Sequence, residues 1–201
     1  AGTLRGLGSA TVGQNIVQSL MRSAPDHEFD FWIPEEWDSS FALEDTRVQF
    51  HSVKPGASRK FFQENVQLRR RIKQWNPNCV FSLGDTSLPW SKAPHLLLVH
   101  TAYLAYPRSE MGFQPDTKLR MRTWLQERQL GKRSVSAFTV QTEIMRQQLM
   151  MRWGIDKDII HVVPSAIDIP TRAPSEAAHE STEPPFIIYP ASPSPHKNHD
   201  V

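Results

Sequence analysis

Residues 136–168 read SAFTVQTEIMRQQLMMRWGIDKDIIHVVPSAID, and they divide into strand, helix and strand. Val135, Ala137, Phe138 and Val140 make the short apolar run that a strand covered on both faces carries in a parallel sheet. Thr142 offers a hydroxyl to cap the next helix, and Glu143 puts a negative charge in the first turn, where the helix dipole favours one. Ile144, Met145, Leu149 and Trp153 form an apolar face at helical spacing, and Gly154 stops the helix. Ile159 to Val163 is the next strand, closed by Pro164. Strands joined through a helix in this way form a βαβ unit, because parallel pairing needs such a crossover.

Towards the N-terminus the alternation repeats. Strands are expected over residues 29–33, 48–53, 79–83 and 95–99, the second following an acidic loop at 35–46. A helix starts near Ser9 with Val12, Ile16, Val17, Leu20 and Met21 as its apolar stripe. Another covers 57–75, with Phe61, Phe62, Leu68, Ile72 and Trp75 on one side, and Asn76-Pro77 breaks it. A third covers 115–132, with Leu119, Met121, Trp124 and Leu125 facing inward. The fold class is α/β: a Rossmann-like, open, mostly parallel sheet with helices on both faces. Residues 1–8, AGTLRGLG, are a glycine-rich loop with no strand ahead of them. In an α/β unit such a loop follows the first strand, so a strand just upstream of Ala1 is expected. Residues 1–168 thus make one domain. Residues 169–185, IPTRAPSEAAHESTEPP, are proline-rich without apolar period and read as a linker. Residues 186–201 open on the strand-like Phe186-Ile187-Ile188-Tyr189, the start of a second domain.

Composition narrows the class. With 39% hydrophobic residues in 201, the chain can bury a real core. A net charge of +2 sets up no global field for nucleic acid. One cysteine, Cys79, excludes an internal disulfide and fits a reducing compartment. No apolar run approaches the ~20 residues that span a bilayer, and no signal peptide opens the sequence. A cytoplasmic protein is expected. No His, Cys and Asp residues stand at metal-ligand spacing, and G-x-S-x-G, P-loop and paired-carboxylate signatures are absent.

Ligands of open α/β sheets bind beyond the carboxyl ends of the strands, and four expected loops gather there: 1–8, 83–90, the turn at His100, and Gln141-Thr142. Gly6, Gly8 and Gly13 let backbone N–H groups approach a phosphate at a helix N-terminus, although a tight turn with no ligand explains them equally well. Their spacing, G-x-G-x-x-x-x-G, is not the dinucleotide fingerprint, which disfavours NAD. His100 ends a buried strand and is either a satisfied structural group or a cleft residue. Tyr103 and Tyr106 could stack on sugar faces and Arg108 could pair with a phosphate, or all could simply pack the loop. The basic helices near 59–73 and 118–133 are solvated faces or a membrane-facing surface.

Three segments carry a resemblance. VQTEIMRQQLMMRWGIDKDIIHVVPSAID resembles the end of the first domain of retaining, nucleotide-sugar-dependent glycosyltransferases of the GT-B fold, glycosyltransferase family 4. There, a strand ending in Ser or Thr leads to a helix, a "GI" with a charged turn, and "I-x-V-V/I-P-N-G-V/I-D"; the Asn-Gly is Ser165-Ala166 here. LLLVHT, ending in His100-Thr101, resembles the family's strand ending in "F/V-H-T/D". YPASPSPHKNHDV resembles the first strand and loop of the donor-binding domain, with Ala191-Ser192 near the place of the usual arginine.

The resemblance implies transfer of a sugar from a nucleotide diphosphate sugar to an acceptor hydroxyl, with retention and without a metal or cofactor. It places His100 against a hydroxyl of the transferred sugar, and Gly6, Gly8 and Lys197 at the donor diphosphate. Ser9, Tyr103 and Arg108 fall on the acceptor side. The partners it implies are a nucleotide sugar and a glycan or lipid-linked acceptor, with peripheral contact at the inner face of the plasma membrane and no nucleic acid. Polysaccharide or glycolipid assembly is its common use. The acidic pair and nucleoside pocket are expected downstream of Val201, so the chain alone is expected to be inactive. The alternative is a non-catalytic α/β module that binds a glycan or a partner.

Overall fold

A computed structural model describes residues 7–35, 46–54, 62–107, 117–130 and 134–164. The elements run α1 (Leu7–Ser23), β1 (Phe29–Pro34), β2 (Val48–Val53), α2 (Leu68–Trp75), β3 (Val80–Ser82), β4 (His95–Val99), α3 (Ala102–Ala105), α4 (Thr117–Leu130), β5 (Ala137–Val140), α5 (Glu143–Trp153) and β6 (Ile160–Val162). A wider π-type turn at Gln63–Gln67 leads into α2, and a 3-10 turn at Lys157–Ile159 leads into β6. The six strands expected between residues 29 and 163 are present, and every pairing among them is parallel; the strands expected ahead of Ala1 and at 186–189 lie outside the described residues.

The α/β, Rossmann-like class is as expected; among the described residues its parallel strands pair in two groups, β1-β2 and β3-β4-β5-β6. Among the described residues no strand lies between β1 and β3. A cavity takes that place, lined by Asp30 to Ile33 on one side, Val80 to Leu83 on the other, and Leu68, Arg71 and Ile72 of α2.

Strand β4 lies inside the larger sheet, its register set by Leu96 opposite Ala137 and Val99 opposite Val140. Side chains alternate across a strand, so its apolar run serves two cores. Leu97 and Val99 pack with Phe138 and Val140 of β5, Leu104 of α3, and Met145 and Leu149 of α5. Leu98 points the other way, to Val17 and Met21 of α1 and to Ile33 of β1. Complete burial of each such Leu or Val contributes about 1.5–3 kcal/mol.

The expected helix signals around α5 are realised. The Thr142 hydroxyl accepts from the Met145 N–H at 3.2 Å, and Gly154 ends the helix at φ +60°, its N–H donating to Met150. Asn76 ends α2 in the same left-handed conformation at φ 50°.

Other expectations need correction. Gly8 lies within α1, not in a loop ahead of it, and Gly13 is buried in the middle of that helix, where it can offer nothing to a phosphate. On α4, Met121 and Trp124, both read as inward, are 61% and 49% exposed, while the side chains of Leu119 and Leu125 lie outside those described. Thr123, Gln126 and Leu130 are buried in their stead. Ile144 and Phe62, both read as inward, are exposed. In α5 the packed positions are Met145 and Leu149, one turn apart, which leaves Ile144 on the flank.

Polar networks tie the layers together. The Asp30 carboxylate, 4% exposed, accepts from Arg71 Nε at 2.6 Å and Trp32 Nε1 at 2.9 Å, and stands 3.1 Å from His51 Nε2. Arg71 also donates to Gln49 Oε1, so α2 is fastened to both β1 and β2. At the start of β4, His95 is 1% exposed with Nε2 2.8 Å from Ser82 Oγ on β3.

Candidate active site

Because β3, β4, β5 and β6 are parallel and adjacent, the segments leaving them emerge at one edge of the sheet. His100 leaves β4 at that edge, and two sets of contacts hold it there.

The first set comes from the turn after β3. Gly84 and Asp85 are buried, and Asp85 adopts φ 52°, a left-handed conformation that Asp tolerates better than most residues. Its N–H donates to Leu98 O at 3.2 Å, which docks the turn on β4. Its carboxylate, fully buried, then spans the end of that strand. Oδ1 accepts the N–H of His100 at 2.9 Å and that of Thr101 at 3.1 Å. Oδ2 accepts the Thr101 hydroxyl and lies 3.1 Å from His100 Nδ1. A buried carboxylate is strongly unfavourable unless hydrogen-bonded and paired, and these contacts meet that requirement. The Nδ1–Oδ2 contact is close, but the ring N–H is not aimed along it, so it is an approach without a linear hydrogen bond.

The second set follows His100. Thr101 O accepts from the Leu104 N–H at 3.1 Å, opening the short helix α3, which the sequence had suggested was loop. The Leu104 carbonyl accepts Trp153 Nε1 at 2.8 Å and Arg152 Nη1 at 3.2 Å, and the Tyr106 carbonyl accepts Arg152 as well. Arg152 is held in turn by Glu127 at 2.6 Å. The chain on both sides of His100 is therefore fixed to the body of the domain, while the His100 side chain stays 23% exposed.

Among the candidate residues, only His100 and Tyr106 have described side chains. Gly8 and Ser9 stand in the first turn of α1, and Tyr103 lies in α3. Gly6, Arg108, Lys197, Ser165-Ala166 and the segments 169–185 and 186–201 lie outside the described residues. Tyr106 is half-buried against the larger core, which supports packing for this ring. The residue that sequence reasoning passed over is Asp85, which lies within the 83–90 loop without being singled out. The usable signal was an acidic residue ending one strand beside a neighbour that ends in His-Thr.

At the opposite end of β4, burial holds the His95 imidazole below the usual histidine range, opposed by a hydrogen bond to the Ser134 backbone. Among the described residues no group of His, Cys, Asp and Glu could hold a metal ion. Among them, too, no helix is long and apolar enough to cross a membrane.

A family model described as Glycosyltransferase Family 4 matches residues 8–170. The chain belongs to glycosyltransferase family 4. The match runs from the first turn of α1 past the end of β6, so it takes in all six described strands and both segments that hold His100. No curated protein and no solved structure matches the chain. Membership in this family makes it a glycosyltransferase-type domain, and transferase chemistry in general is the activity to which its residues are to be related.

Proposed function

We propose that the chain is the acceptor-side half of a two-lobed GT-B glycosyltransferase that moves a sugar from a nucleotide diphosphate sugar to an acceptor hydroxyl with retention. The observation carrying this reading is His100, fixed at the carboxyl end of β4 by Asp85 on one side and by Arg152 and Trp153, through the carbonyls of α3, on the other. Preorganisation of this kind is what a group needs if it is to orient a substrate hydroxyl and support charge that develops in the transition state. His100 hydrogen-bonds the transferred sugar. Gly6, Gly8 and Lys197 meet the donor diphosphate, while Ser9, Tyr103 and Arg108 face the acceptor. No divalent metal takes part, because basic residues and helix N-termini neutralise the leaving group.

The reading includes a second lobe that begins at residue 186 after a linker at 169–185. It also includes a strand ahead of Ala1 seated between β1 and β3, which the unpaired edges and the cavity between them support. A lipid-linked or glycan acceptor is supported by α4, where exposed Met121 and Trp124 share a surface with Arg128, whose guanidinium lies 5.2 Å from the Trp124 ring. Apolar and cationic groups together suit the interface of an anionic membrane.

The test is His100→Ala in the two-lobed protein, with sugar transfer measured over a panel of nucleotide sugars. A fall in turnover of about a hundredfold or more, in a normally folded variant, is expected from the loss of a preorganised group at the reacting centre. Near-normal transfer sinks the assignment. The 201-residue chain alone should neither transfer sugar nor bind nucleotide sugars tightly, and tight binding by it would contradict the donor site placed here.

A further inference from the structure

The two oxygens of Asp85 do different things. Oδ1 takes two backbone N–H groups, those of His100 and Thr101, and so sets the path of the chain as β4 ends. Oδ2 takes the Thr101 hydroxyl and stands 3.1 Å from His100 Nδ1. A carboxylate can only accept hydrogen bonds, this one is fully buried, and a separation of 3.1 Å leaves no room for a water between its oxygen and the ring. With a lone pair on Nδ1, the neutral imidazole would set two acceptors against each other at that distance. With the proton on Nδ1, the contact is attractive and the lone pair resides on Nε2. Nδ1 is itself buried, so the ring's remaining exposure lies elsewhere on it.

We propose that Asp85 is the positioning residue of His100: it selects the Nδ1–H tautomer, so that Nε2 meets an incoming hydroxyl as a hydrogen-bond acceptor. The proposal rests on the reading that His100 faces a sugar hydroxyl, and it adds the polarity of that contact. A substrate O–H donates to Nε2, and a group that can only accept, such as an ether oxygen or a fluorine in place of that hydroxyl, is rejected. The misaligned N–H is no obstacle, since catalytic hydrogen bonds often tighten only when substrate is bound.

Asp85→Asn separates the two duties. The position needs a residue that tolerates φ 52°, and Asn does so about as well as Asp. The Asn carbonyl oxygen must take the Oδ1 place, because two backbone N–H groups point at it. Its NH₂ is then left at the Oδ2 place, where it donates to Nδ1 and drives the ring to the Nε2–H form. Nitrogen–proton correlation spectra of the imidazole, recorded on the chain above the ordinary histidine titration range, read the tautomer directly. The wild type is expected as Nδ1–H and the variant as Nε2–H, with the His100 and Thr101 backbone amides unmoved. A wild-type Nε2–H ring, or an Asp85→Asn variant that keeps Nδ1–H, overturns the proposal.

Activity of the two-lobed protein gives the second arm. A ring in the wrong tautomer disables a catalytic histidine, so Asp85→Asn should lower kcat by at least about tenfold. Replacing the contacted sugar hydroxyl by fluorine should cost the wild type a similar factor. The two ideas fail separately. Unimpaired transfer by His100→Ala removes the active-site reading whatever the tautomer, whereas a wild-type Nε2–H ring with an inactive His100→Ala removes only the role of Asp85.

Discussion

His95 shows how much a single position can weigh in this fold. It is the first residue of β4, buried to 1% exposure, with Nε2 against Ser82 Oγ. Burial disfavours its charged form and lowers its pKa, and the hydrogen bond to the Ser134 backbone only partly opposes that. The sign follows from linkage. Above the ordinary histidine pKa near 6.5 the ring is neutral in both folded and unfolded chains, and no stability is lost. As pH falls below that value the unfolded chain takes up a proton that the folded chain resists, until the lowered folded pKa is reached. Stability should therefore fall with acidification through that window, by at most about 1.4 kcal/mol per pH unit for this one group. Urea midpoints measured from neutral pH downward test it: His95→Gln should flatten this part of the profile. An unchanged profile would assign the acid sensitivity to other groups. Leu149 weighs differently. It is fully buried on α5, and Leu149→Ala should lower stability by about 2–5 kcal/mol in the same denaturation assay, the range for a core leucine whose cavity collapses incompletely.

Elements were legible where backbone chemistry and apolar period agree. Around α5 they do: Thr142 caps, Gly154 terminates, and Met145 and Leu149 point inward. Two predictions belong here. Thr142→Ala should destabilise by about 1 kcal/mol and Thr142→Ser by much less, since the hydroxyl accepting from Met145 N–H is the relevant atom. Gly154→Ala should destabilise by about 1–2 kcal/mol although a Cβ there meets nothing within 4 Å, because the penalty lies in a backbone held at φ +60°. Asn at that position should recover much of the loss, and thermal melts of both variants decide it. The same reasoning failed for α4, whose buried positions include Thr123 and Gln126 while Met121 and Trp124 face outward. Apolar period reports burial only when the partner surface is apolar. It failed again for Asp85, whose importance lies in contacts with residues 15 and 16 positions away across two strands. His100 stood out in the sequence as a polar residue ending a run of Leu and Val; the buried carboxylate beside it did not.

At the scale of the whole molecule the described residues form two sheets of unequal strength. The β3-β4-β5-β6 sheet has helices against it and encloses the larger core. The β1-β2 pair has only two strands, an arrangement marginal without packing support. What supports it is the smaller core under α1 and the Asp30–Arg71 fastening to α2. Native-state hydrogen exchange should accordingly divide the amides, with those of β4 and β5 opening last and those of β1 and β2 in a separate, less stable unit. Arg71→Met probes the division. It leaves a buried Asp30 carboxylate without its closest partner, worth about 1–3 kcal/mol. If β1-β2 opens as its own unit, its amides should exchange roughly ten- to a hundredfold faster in the variant while those of Leu97 to Val99 keep their rates. Equal acceleration in both sheets would mean that the domain opens as one body. In that case a ligand at His100 would be felt at β1-β2 as strongly as at β4.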